Sequence, residues 1–128
     1  MDYTTKLSYQ SMYWYNDGLK KAKIRDLSGA ITSLKKSLQY NRGNIASRNL
    51  LGLVYYGRGD IVEALVEWVL SKNFQSHENI ANYYIQKVRE SQEELEMINQ
   101  AIRRYNQALL YCQQKGEDLA IIQLKKAV

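Results

Sequence analysis

The side chains that could do chemistry in this chain are few and scattered. His77 is the only histidine, and its neighbours Ser76, Glu78 and Asn79 suit a solvated helix start better than a metal ligand or a general base. Cys112 is the only cysteine; it continues an apolar helical seam, where a free thiol behaves as a small hydrophobe. Glu63 and Glu67 lie one helical turn apart, as do Glu90 and Glu94, so either pair offers two carboxylates. With no histidine nearby and no second pair in register, each reads as a solvated helix face rather than an acid–base site. Gly57-Arg58-Gly59 lacks the downstream glycine and the preceding strand that a phosphate-binding loop requires. The expectation is a chain that is not an enzyme and holds no metal or cofactor.

The elements that must position these groups are helical. The chain has 128 residues, no proline and 45% hydrophobic residues, which suits long uninterrupted helices rather than a sheet full of turns. That length suits a single all-α domain able to bury a core. A lone cysteine excludes an intramolecular disulfide and any multi-cysteine metal site, and a reducing compartment follows most simply. The opening Met-Asp-Tyr-Thr-Thr-Lys-Leu-Ser has no apolar core of signal-peptide length, and no run reaches the ~18 apolar residues that span a bilayer. A cytoplasmic location is expected, or the cytoplasmic face of a membrane if residues after Val128 carry an anchor.

Helical spacing organises the chain around residues 45–76. Leu50, Leu51, Val54 and Tyr55 belong to one helix, and Ile61, Ala64, Leu65 and Trp68 to the next. Asp60 and Glu63 have the spacing of a capping box, and Gly59 suits the left-handed residue that ends the preceding helix. Gly52 and Ala64 are small enough to let the two axes approach. Before this unit, helices are expected from about Thr4 to Lys23 and from Leu27 to Tyr40, the second capped by Asp26, with a turn at residues 41–44. After it, Ser76 or His77 should open a long helix. Its seam of Tyr84, Val88, Ser91, Leu95, Ile98, Ile102, Tyr105, Leu109 and Cys112 alternates three and four without a break, giving roughly 35 residues and about 55 Å. A capping box at Ser91–Glu94 would divide it, but the phase is the same on both sides. A last helix over about 117–127 would present Leu119, Ile122 and Leu124.

The unit recurs. A shift of 34 residues places Gly18 on Gly52, Asp26 on Asp60, Ala30 on Ala64, Leu34 on Trp68 and Ser37 on Ser71, and periods of this size mark stacked repeats. Leu51-Gly52, Tyr55, Gly59, Ala64 and Trp68 resemble the tetratricopeptide repeat, with a weaker copy over residues 11–44 in which Asp17 and Lys21 replace an apolar residue and a tyrosine. A third copy over residues 101–128 follows a helical insertion at about 79–100; it stops partway, so the chain is expected to be a fragment truncated at its C-terminus. The resemblance implies about six helices, in antiparallel pairs stacked as a right-handed superhelix with an elongated helix before the last pair.

It further implies a concave groove, lined by the first helix of each pair, that receives a peptide or a helix. Mapped onto this chain, the groove residues are Tyr15, Leu19 and Ala22, then Asn49, Leu53 and Tyr56, then Tyr105, Leu109 and Cys112. Members that clamp acidic chaperone tails carry Lys and Asn where Tyr15, Leu19 and Leu53 stand, so an apolar or aromatic partner is expected instead, or the chain's own N-terminal segment. Two other readings compete. Eleven tyrosines and a net charge of +5 would suit single-stranded nucleic acid, but the basic residues are dispersed and form no stripe. The seam of the long helix would suit self-association, although Glu90, Glu94, Arg103 and Arg104 do not make a clear set of flanking charge pairs.

Overall fold

The structure, a computed structural model, describes residues 2–127, with side chains over residues 2–115. Among the described residues the fold is all-α: α1 (Tyr3–Lys23), α2 (Leu27–Tyr40), α3 (Ile45–Gly57), α4 (Ile61–Phe74) and α5 (Ala81–Ala127). The chain divides into two compact units, Met1–Lys87 and Val88–Val128. No helix among the described residues is long and apolar enough to cross a membrane.

In the first unit α1 packs on α2, α2 on α3, and α3 on α4. The 34-residue recurrence is also geometric. Gly18 lies so close to Leu34 that a Cβ there would come within 2.7 Å of it, and a Cβ on Gly52 would run into Trp68. Ala30 and Ala64 are both fully buried, as are Ser37 and Ser71. Arg25 and Gly59, again 34 apart, both turn through positive φ at 62° and 88°; this is the left-handed residue that stops a helix, at no steric cost only for glycine. Ala30, Ile31, Leu34, Leu51 and Val54 form the core, with Tyr15, Ala22 and Leu27 packed against it.

The helix ends depart from expectation in two places. Asp26 caps α2 by accepting from the Gly29 N–H at 3.0 Å, but Asp60 makes no such bond. Its carboxylate instead meets Arg58 Nε at 3.2 Å, so the expected capping box is not formed. The next helix starts at Ala81, not at Ser76 or His77, because Asn79 takes the capping role and accepts from the Ala81 N–H at 3.0 Å. His77 stands in the preceding loop, where the Gln75 side chain donates to its carbonyl.

The second unit is helical throughout α5, which continues as one element through residue 116, where the sequence predicts a break. Among the described residues five helices therefore replace the expected six. A lone mid-helix glycine costs only ~1 kcal/mol relative to alanine, and the constant phase around Ser91 gives the backbone no reason to restart. The side chains of Leu119, Ile122 and Leu124, and with them most of the second half of the third copy, lie outside the described residues.

Candidate functional site

α3 presents one face through Asn49, Leu53 and Tyr56, spaced i, i+4 and i+7. Leu53 and Tyr56 remain 39% and 44% exposed although they sit in the middle of a packed helix pair. Gly52 beside them admits the edge of Trp68, which is 1% exposed and donates through Nε1 to the Asn49 carbonyl at 3.2 Å. The indole also organises the aromatics around it. Its ring centroid lies 6.2 Å from Tyr56 and 5.2 Å from Tyr84, and Tyr84 lies 6.0 Å from Tyr83. Tyr56 and Tyr83 are thus the exposed ends of an aromatic run whose middle is the buried Trp68 and the half-buried Tyr84.

Asn49 occupies a different place from the one expected. It is 92% buried, since its relative exposure is 8%, and its amide nitrogen donates to Asn79 Oδ1 at 2.9 Å. Asn79 in turn donates to Ser71 Oγ and to the Gln75 carbonyl at 2.9 and 3.0 Å. What Asn49 leaves unpaired among the described residues is its own Oδ1, an acceptor whose burial without a partner is costly. The side chain therefore ties α3 to the start of α5 through one end, and only its oxygen is uncommitted.

The other expected residues divide. Tyr15 is half-buried and packs against the core, as does Ala22. Leu19, the counterpart of Leu53 at the 34-residue offset, is half-buried on α1. Tyr105 and Leu109 belong to the second unit and are 64% and 44% exposed; Cys112 is exposed as well. Every described side chain from Arg89 to Lys115 is exposed, so the expected seam is a surface stripe over this stretch. Tyr83 escaped the sequence reading because it lies off the three-four seam that Tyr84 belongs to; its signal was the Tyr83-Tyr84 doublet beside the Trp68 helix.

Two further surface features flank these. Val62, Leu65, Val66, Val69 and Leu70 line a hollow of about 340 Å³ on α4, a helix that is apolar on more than its packed side. Lys35, Leu38, Arg42, Arg48, Leu51 and Glu67 line another of about 560 Å³. Its Arg48 meets Glu67 at 3.0 Å, and Lys35 and Arg42 add positive charge to the lining. Among the described residues no three His, Cys, Asp or Glu side chains converge as a metal site would require. No protein-family model matches the chain, and the search of curated proteins finds no relative.

Proposed function

We propose that the first unit is a tetratricopeptide-like, non-catalytic module whose helix pairs stack in a right-handed superhelix and hold a segment of another protein against α3. The observation that carries this reading is the Leu53–Tyr56 face, where two apolar side chains remain 39% and 44% exposed on a packed helix. An extended partner offers what such a face lacks: apolar side chains at alternating positions to cover it. The recurrence of the glycine contact, the buried alanine and the positive-φ turn at the same 34-residue offset supports the repeat assignment. Tyr83, at the far end of the aromatic run, extends the surface available to a bulky apolar side chain.

The test is a peptide-display selection on the 128-residue chain, repeated with Leu53→Glu combined with Tyr56→Glu. Both positions are exposed, so the double variant should keep the helical circular-dichroism spectrum and lose the selected ligands. Unchanged binding by the variant would move the function elsewhere on the molecule.

A further inference from the structure

In the second unit Leu95, Ile98, Ile102, Tyr105 and Leu109 recur at alternating spacings of three and four and are all between 44% and 64% exposed. A continuous apolar stripe of this kind on a helix demands a cover, and its spacing is that of knobs-into-holes packing between two helices. The flanks of the stripe say what the cover is. One flank reads Gln92, Asn99, Asn106 and Gln113, and the other carries Ala101 and Ala108 at its centre, so no like charges oppose each other across a seam formed by two copies of the same helix.

The charges further out are sorted along the axis. Glu90, Glu93, Glu94 and Glu96 crowd the beginning of this stretch, whereas residues 97–115 contain no acid and carry Arg103, Arg104 and Lys115. Two parallel copies would lay acid on acid and base on base. Two antiparallel copies lay each half on its opposite, which is the arrangement that charge complementarity selects. We propose that this face of α5 pairs with the same face of a second copy of the chain as an antiparallel two-helix coiled coil centred near Gln100.

The register follows from the seam. Alignment with paired numbers summing to 200 sets Ile98 on the partner copy's Ile102, Leu95 on its Tyr105 and Ser91 on its Leu109. It also brings Glu96 level with Arg104, whereas sliding by one heptad to a sum of 207 sets Arg103 level with Arg104.

Light scattering of the 128-residue chain over a concentration series, with Ile98→Glu combined with Ile102→Glu as the control, tests the pairing. The expected result is a dimer that grows with concentration and is lost in the variant, whose helicity is unchanged because both side chains are exposed. A chain that stays monomeric throughout, or a dimer that survives the double substitution, overturns the proposal. Cys112 reports direction: in the antiparallel pair the two thiols lie 24 residues apart along the axis, or about 36 Å at 1.5 Å per residue. Mild oxidation should therefore give no disulfide-linked dimer, while Asn99→Cys in a Cys112→Ser background should be joined by a short bismaleimide. A Cys112-linked dimer formed in high yield would make the helices parallel and also overturn the proposal.

Discussion

Asp17 and Leu51 are 34 residues apart and occupy the same place in two helix pairs, yet one is a third exposed and ion-paired and the other is 1% exposed in the core. In the first pair Asp17 meets Lys21 at 2.8 Å. Ser33 Oγ donates to Asp17 at 2.6 Å and accepts from Lys21 at 3.0 Å. In the second pair the corresponding Leu51 and Tyr55 are apolar or aromatic, and the ionic contact has moved to Arg48 and Glu67, whose side chains are only 8% and 16% exposed. The backbone plan therefore accepts either a polar cluster or apolar side chains at these positions. What the plan fixes is the contact itself: a glycine on the first helix under a large side chain on the second.

The comparison breaks most visibly at those large side chains. Trp68→Ala should lower stability by ~3–5 kcal/mol and Leu34→Ala by ~2–5 kcal/mol, read by denaturant unfolding. Both should shift one transition, since the two pairs share a core; two separate transitions would show that the pairs fold independently. Next comes the buried ion pair. Glu67→Gln leaves the Arg48 guanidinium without its anion and should cost ~1.5–3 kcal/mol, and a loss below that range would mean the adjoining cleft solvates Arg48.

The caps sharpen the contrast in the opposite direction. Asp26→Ala removes a formed side-chain cap and should cost about 1 kcal/mol, whereas Asp60→Ala, with no cap bond to lose, should cost less when the two are measured side by side. The smallest effect belongs to Asp17. The hydrogen bond from Lys21, and then that from Ser33, hold its carboxyl below the ordinary aspartate value, and the same pairing raises Lys21. A depressed carboxyl contributes stability that is present above its unfolded pKa and lost as the pH falls through the folded value. Asp17→Asn should therefore flatten the acid limb of the stability profile slightly, and an unchanged limb would show the pair to be solvated in solution.

Much of this was legible before any coordinates. The helix class, the bounds of α2, the Gly59 turn, the Gly52 approach and the uninterrupted phase of α5 all rest on local backbone preference and on spacing, which a sequence displays directly. The caps were half-legible: aspartate stands at both starts, but Arg58 is close enough to draw one carboxylate away from its helix. Asn49 was legible only as a polar residue on the α3 face. Its commitment to Asn79 depends on a residue 30 positions later, whereas Asn79 caps α5 locally, two residues before Ala81. Ser11, Ser37 and Ser47 give a similar lesson: they are fully buried and hydrogen-bonded together across α1, α2 and α3, although composition alone assigns serine to the surface.

By itself the sequence determined the 34-residue spacing, the all-α class, the bounds of α2 and the phase of the α5 seam, because periodicity and steric allowance act over a few residues. The tertiary structure decided which polar groups are satisfied from afar, which of the expected contact residues pack against the core, and that the seam from Leu95 to Leu109 lies in the open. Those outcomes depend on what each side chain meets across the fold, and a buried donor or acceptor is governed by the partner it finds rather than by the residues beside it in the chain.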